Sequence, residues 1–151
     1  MNIIQAIKDP QLFKPFFGED LKSWNRWATA LRCLYGLPVT SPRGKALGLR
    51  ASGRDVSTMP DTGFSTALFL TGRRSGKSRI AATIAAYEAV LAGHQRKLAP
   101  GERGIIPVIA PSKAQGRIVR DYLRAIFDLP MFAGELASET NESFTLRDGT
   151  R

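Results

Sequence analysis

The stretch "LFLTGRRSGKSRIAATIAAYEAVLAG", from Leu68 to Gly93, combines an apolar run, a short loop rich in glycine and charge, and a helical pattern. A phosphate-binding loop has the pattern G-x-x-x-x-G-K-[ST] between a strand and a helix. Gly76, Lys77 and Ser78 match the second half of that pattern. Thr71 stands where the first glycine belongs, and Gly72 follows it directly. The stretch therefore predicts a nucleotide-binding loop with a variant first half.

The chemistry of such a loop explains its residue types. Glycines let backbone N–H groups turn toward the phosphates, and the helix N-terminus adds partial positive charge. Lys77 is then predicted to reach the β- and γ-phosphates of ATP, and the Ser78 hydroxyl to bind Mg²⁺. A G-K-[ST] tripeptide arises by chance in about one chain in ten of this length. The alternative is therefore a strand–helix turn with a solvated lysine.

Two arginines inside the loop add to the hypothesis. Arg73 and Arg74 are predicted to lie within reach of a γ-phosphate, where a guanidinium stabilises charge on the transferred group. The alternative for one or both side chains is a solvent-exposed position. The predicted phosphate-contacting residues are Thr71, Gly72, Arg73, Arg74, Ser75, Gly76, Lys77 and Ser78, with Lys77 and Arg73 as the catalytic candidates.

Outside the loop, the pattern predicts alternating strands and helices. The apolar runs 65–70 and 104–110 are typical of buried parallel strands, although Pro107 costs the second run a ladder hydrogen bond. A helix is predicted from Ser78 with Ile80, Ile84, Tyr87 and Leu91 on one face, and a second over 111–128 with a Ser112–Gln115 capping box. The predicted fold class is α/β: a parallel sheet flanked by helices.

The N-terminal part has a different character. Apolar spacing predicts a helix over 20–35 that begins at Asp20 and ends at Gly36, with the apolar residues 12–17 packed against it. Its two tryptophans, Trp24 and Trp27, have the spacing of core residues, and base stacking is the less favoured reading. Residues 36–64 predict a long loop with a short helix or strand near 46–51. The predicted organisation is a helical lead-in (1–40), a basic Gly/Pro-rich loop (41–64) and an ATPase core (65–151).

The C-terminal residues predict a strand over 143–147 followed by an Asp-Gly hairpin turn. Only Thr150 and Arg151 follow that turn, so the sequence is expected to be a piece of a longer protein; the alternative is a frayed natural terminus. His94 is the only histidine, which excludes a histidine-based metal cluster, and as a lone loop residue it is expected to be exposed to solvent.

The charge balance favours an anionic partner. The chain holds 22 Lys and Arg against 13 Asp and Glu, a net charge of +9. Such a balance is typical of nucleic-acid-binding proteins, and a merely solvated basic surface is the alternative. Cys33 is the single cysteine, which suits a reducing compartment. No pattern of a signal peptide or membrane span is present, so a soluble cytoplasmic protein is expected.

The segment "TGRRSGKS" resembles the variant phosphate loop of the large terminase subunits, the ATPases that pump DNA into the heads of tailed bacteriophages. "LYGLPVT" and "RASGR" upstream, and "IIPVIAPSKAQGRIVRDYL" and "SFTLRDGTR" downstream, are similar to that family in order and spacing. The resemblance covers roughly residues 12–151. It implies a RecA-like (ASCE) P-loop ATPase core that uses ATP and Mg²⁺.

The resemblance also implies roles and partners. Lys77 and Ser78 would take the phosphate and Mg²⁺ roles, and Arg73 would sense the γ-phosphate. Arg50 or Arg54 would line the adenine. An arginine donated to a neighbouring subunit has Arg117, Arg120 and Arg124 as candidates, against the commoner reading of a basic helix face. The implied partners are double-stranded DNA, the portal, the small terminase subunit and further copies in a ring.

The sequence departs from the family in its acidic residues. The family needs an apolar strand ending in acids to organise Mg²⁺ and activate water, and no such run follows Lys77. Glu135, Glu139 and Glu142 lie in a polar stretch that predicts a solvated loop. Two rivals stay open: another RecA-like ATPase such as a helicase, and a basic nucleic-acid-binding module whose loop holds backbone phosphates without nucleotide turnover.

Overall fold

The computed structural model describes all residues, 1–151. It contains seven α-helices and one two-stranded sheet. The chain divides into two compact units. The main unit comprises Met1–Gly18 and Arg74–Arg151, and the inserted unit comprises Glu19–Arg73.

The main unit begins with two short helices that supply much of its apolar core. Helix α1 (Ile3–Lys8) starts at a capping box in which Asn2 and Gln5 exchange side-chain-to-backbone hydrogen bonds of 2.8 and 2.9 Å. Helix α2 (Lys14–Phe17) follows. Phe13, fully buried between them, stacks on Phe132 with ring centroids 5.0 Å apart. The N-terminal residues are thus part of this core.

Helices α5 (Lys77–Ala86) and α6 (Lys113–Phe127) pack against each other. Small residues of α5, among them Ala82, Thr83 and Ala86, are fully buried, and small side chains permit a close helix–helix approach. The helix continues as a π-helical turn, Tyr87–Leu91, and ends at Gly93 with φ +76°. The predicted helix is confirmed.

The predicted start of α6 is confirmed as well. The Ser112 hydroxyl accepts a hydrogen bond from the Gln115 backbone N–H at 3.3 Å. The helix is followed by α7 (Pro130–Ala133) and by strands β1 (Leu136–Glu139) and β2 (Phe144–Leu146). These strands pair antiparallel, with Leu136 opposite Leu146 and a bulge before Ser138.

The predicted parallel sheet and RecA-like core are wrong for this structure, because its only sheet is the antiparallel pair β1–β2. Residues 65–70 and 104–110 form no strand. Leu68 is 83% exposed, Leu70 88% and Ile109 91%. An apolar run becomes a buried parallel strand only where neighbouring strands complete its ladder and helices cover both faces. Neither run has such neighbours.

The predicted Asp-Gly turn is present at the C-terminal end. Gly149 has φ +88°, and the Asp148 side chain accepts a hydrogen bond from Thr150 N–H at 2.8 Å. After the turn, Arg151 N–H donates to Gly104 O at 2.9 Å, and Ile106 N–H donates to Arg151 O at 2.8 Å. The second apolar run therefore has two backbone hydrogen bonds to the chain end, too few for a strand.

The inserted unit contains the predicted amphipathic helix, which the structure confirms. It begins as a 3-10 turn, Leu21–Trp24, and continues as α3 (Asn25–Leu34). The Asp20 carboxylate accepts a hydrogen bond from Lys22 N–H at 2.8 Å, as expected of an N-cap. Both tryptophans are half-buried, and Trp27 lies 5.5 Å from the Phe69 ring between centroids.

Within the predicted loop 41–64 lies an eleven-residue helix, α4 (Pro42–Ser52). Ser41 caps it by accepting a hydrogen bond from Gly44 N–H at 3.1 Å, and Gly53 ends it with φ +70°. A Cβ at Gly48 would lie 2.2 Å from Val56 Cγ1. Glycine that is typical of a loop in sequence here permits close packing of a helix. None of the helices is long and apolar enough to cross a membrane.

Candidate phosphate-binding site

The candidate site begins where the loop turns into α5. Gly76 adopts the left-handed conformation, φ +81° and ψ 10°, and the helix starts at Lys77. The first-turn N–H groups of Lys77, Ser78 and Arg79 have no acceptor within the helix. Gly76 offers no capping side chain, and the first turn holds no acidic residue. This helix end therefore presents N–H groups and partial positive charge to an anion.

The sequence on both sides of this helix start is rich in cationic residues. The stretch from Thr62 to Tyr87 contains Arg73, Arg74, Lys77 and Arg79 and no Asp or Glu. Arg74 and Lys77 are exposed in the main unit, and neither forms an ion pair. Thr71, Gly72 and Arg73 precede them at the end of the inserted unit, where Arg73 is also exposed. Ser75 and Ser78 are half-buried.

Arg74 has a strained backbone. It is the only residue other than glycine with positive φ, +58°. The left-handed region costs an ordinary residue about 1–2 kcal/mol, and such strain is concentrated at functional sites. The loop therefore keeps an arginine at a position whose backbone favours glycine.

Replacing Arg74 by glycine is expected to raise the free energy of unfolding by up to about 1 kcal/mol, because relief of the backbone strain exceeds the opposing effect of a more flexible unfolded chain. Urea denaturation of the full chain, followed by far-ultraviolet circular dichroism, measures this change. An Arg73→Gly variant serves as the control, since Arg73 has no positive φ. A loss of stability in Arg74→Gly larger than that in Arg73→Gly would contradict the strain.

Arg79 was missed by the sequence reasoning. Its guanidinium carbon lies 4.8 Å from the centroid of the Phe16 ring and 5.8 Å from that of Tyr122. A cation in the first turn opposes the helix dipole, and contact with two aromatic faces offsets that cost. Arg79 thus ties the first turn of α5 to α2 and α6. The only sign of this role in the sequence is the position of Arg79, a cation in the first helical turn, where the helix dipole disfavours it.

The arginines of α6 have different surroundings. Arg120 donates to Glu139 Oε1 at 2.5 Å and to Thr140 O at 2.7 Å. Arg124 pairs with Glu139 and with Asp128, 2.9 Å away, and these carboxylates, Asp128 first, raise its pKa above the ordinary value. Arg117 is exposed and forms no ion pair. Of the three proposed subunit-bridging arginines, only Arg117 is unengaged.

The predicted acidic stretch is partly structured. Glu139 lies on β1 and bridges two arginines of α6, so the prediction of a solvated loop is wrong for this residue. Glu142 lies 3.4 Å from the exposed Lys113 ammonium, and Glu135 is exposed. His94 is exposed, as predicted, and its Nε2 atom lies 2.5 Å from Glu88 Oε2. No three His, Cys, Asp or Glu side chains are grouped to hold a metal ion.

Arg50 and Arg54, the predicted adenine-lining candidates, lie in the inserted unit. Both line one cavity there, together with Arg26. No protein-family model, curated protein or solved structure matches this chain.

Proposed function

We propose that this chain binds the phosphates of ATP at the N-terminus of α5. The observation that carries the proposal is the left-handed Gly76 followed by an uncapped first helical turn, with Lys77 and Ser78 as its first two residues. An anion at this place is favoured by Arg74 and Lys77, which form no ion pair, and by the absence of carboxylates over 62–87. A turn that is merely exposed to solvent does not require this combination of features.

The side chains divide the work by their chemistry. The Lys77 ammonium contacts the β- and γ-phosphates, and N–H groups from Thr71 to Ser78 hold the oxygens between them. Arg73 stabilises charge on the γ-phosphate. The Ser78 hydroxyl fits Mg²⁺ as one oxygen ligand, since this ion takes its other ligands from phosphates and water. Bound Mg²⁺ neutralises phosphate charge.

We further propose that this chain contributes to the activity of a terminase large subunit, which moves double-stranded DNA by ATP hydrolysis in the cytoplasm of the host cell. Support comes from the order of the resembling segments and from the net charge of +9. The portal, the small terminase subunit and a ring of copies are the partners that this proposal includes. In the resembling family the water-activating carboxylate lies on a later strand, so we assign nucleotide binding rather than turnover to these residues.

Hydrogen exchange tests the nucleotide proposal. Mg-ATP is expected to slow amide exchange over residues 72–80 by about tenfold or more, because the phosphates accept hydrogen bonds from these N–H groups. The capped start of α6, residues 112–116, provides the internal control. The rival, a nucleic-acid module, has the exposed cations in its favour. It predicts that a DNA duplex protects 72–80 and that Mg-ATP does not, a result that would overturn the proposal.

A further inference from the structure

The inserted unit contains a cavity whose lining includes no residue of the loop Thr71–Ser78. This cavity of about 810 Å³ lies between α3, α4 and residues 64–69, all within Glu19–Arg73. Its charged lining residues are Arg26, Arg50 and Arg54, and no Asp or Glu lines it. The volume falls in the range of small-molecule sites. The cavity is therefore large enough for a small molecule, and its charged lining residues are all positive.

The three arginines are available to a ligand. None of them forms an ion pair. The inserted unit holds eight Lys or Arg against four Asp or Glu. Two of those acids, Asp20 and Asp55, already accept hydrogen bonds from their own turns. The bonds from the Ser57 N–H and hydroxyl lower the pKa of Asp55. The unit thus keeps an excess of positive charge, and no carboxylate lines its cavity.

The rest of the lining is largely apolar and includes the aromatic rings of Phe64 and Phe69. Leu34, Leu47, Met59 and Phe64 line the cavity with Cys33. Guanidinium groups bind carboxylate, sulfonate and phosphate through paired N–H donors, and they also stack on flat rings. Such a lining suits a ligand with an anionic group at one end and a flat apolar body at the other.

We propose that this cavity binds a small organic anion of that kind, with the anionic group held by Arg26, Arg50 and Arg54 and the flat body against Leu34 and Phe64. None of the residues assigned to phosphate binding at α5 lines this cavity. Neither the charge of the whole chain nor the phosphate loop predicts it, since its three arginines come from two helices and a following turn.

Cys33 offers a built-in reporter for the test. It is the only cysteine of the chain, and it lines the cavity. Burial raises the pKa of its thiol. Alkylation is therefore expected to be slow near neutral pH and faster at mildly alkaline pH, where more thiolate is present. A ligand in the cavity covers the thiol and slows alkylation further.

The experiment measures the alkylation rate of Cys33 by iodoacetamide against the concentration of 1-naphthyl phosphate. Saturating probe is expected to slow the reaction at least fivefold. Arg50→Gln and Arg54→Gln are each expected to weaken the apparent affinity about tenfold, the effect of one charge-assisted contact. Arg43→Gln, on the same helix but outside the lining, is the matched control and is expected to change nothing.

Two further probes make the outcome decisive. Inorganic phosphate and neutral 1-naphthol each carry half of the proposed recognition, and both are expected to protect Cys33 at least tenfold less well than 1-naphthyl phosphate. Equal protection by either one, or unchanged affinity in both arginine variants, would overturn the proposal. Lys77→Ala is expected to leave the protection intact; its loss there would assign the effect to the phosphate loop and likewise overturn it. Circular dichroism verifies that each variant is folded.

Discussion

Replacing Lys77 by alanine is expected to weaken Mg-ATP binding by roughly 30-fold to 1000-fold, measured by titration with a fluorescent ATP analogue. The range corresponds to the loss of about 2–4 kcal/mol, the usual contribution of a positioned charge on a phosphate group. The side chain is exposed at the first position of α5, so its loss leaves no cavity. Unfolding free energy is expected to change by less than about 0.5 kcal/mol.

Lys113→Ala is the matched control for this variant. Lys113 is also an exposed lysine at the first position of a helix, α6. There the Ser112 hydroxyl already accepts a first-turn N–H, whereas Gly76 supplies no such cap to α5. Its ion pair with Glu142 is exposed and contributes little. Equal loss of affinity in the two variants would mean that ATP responds to overall charge, and the assignment to α5 would fail.

The helices were predictable because their signals are local. Asp20 and Ser112 mark the starts of helices, and each side chain accepts a hydrogen bond from a backbone N–H two or three residues later. Glycine is ambiguous, because it serves both turns and close contacts. The glycines of α4 therefore predicted a long loop with only a short helix or strand near 46–51. In the structure, Gly48 makes room for Val56, a residue that the fold brings near.

The sheet was not predictable for the opposite reason. The apolar residues of 65–70 and 104–110 are those expected on the faces of a buried strand. Whether such a run forms a strand depends on neighbouring strands, which the run itself does not specify. The strand that was correctly predicted near 143–147 pairs with β1, which sequence reasoning treated as solvated loop. Glu139 lies on β1 and pairs with Arg120 and Arg124. Its charge indicated a solvated loop and gave no sign of these ion pairs.

In the candidate site, too, the features set by neighbouring residues were predictable and those set by distant residues were not. Gly76, Lys77 and Ser78 could be identified because a left-handed glycine and the first helical residues are consecutive in sequence. The contacts of Arg79 with the Phe16 and Tyr122 rings could not be identified, because these partners come from α2 and α6. The loop can be recognised from the sequence, whereas what anchors its helix depends on the tertiary structure.

Replacing Gly36 by alanine is expected to lower the free energy of unfolding of the inserted unit by about 3–5 kcal/mol. Gly36 has φ +62°, and a Cβ there would lie 2.1 Å from Asp61 O and 2.5 Å from Gly63 N. Both are backbone atoms, so no side chain can rotate away. The contact holds the segment in which Phe64 N–H donates to Leu34 O at 2.8 Å. Tryptophan fluorescence during urea denaturation reports this unit alone, since both tryptophans lie in it.

Gly53→Ala separates the two causes of that loss. Gly53 also has positive φ, +70°, yet a Cβ there would meet nothing within 4 Å. Its replacement is expected to cost only the backbone strain, about 1 kcal/mol. Equal losses at the two positions would show that backbone conformation, and not the contact with Asp61, governs Gly36. If the contact governs, Gly36→Ala also displaces Phe64 from the cavity wall, and 1-naphthyl phosphate will no longer protect Cys33 even where the variant remains folded.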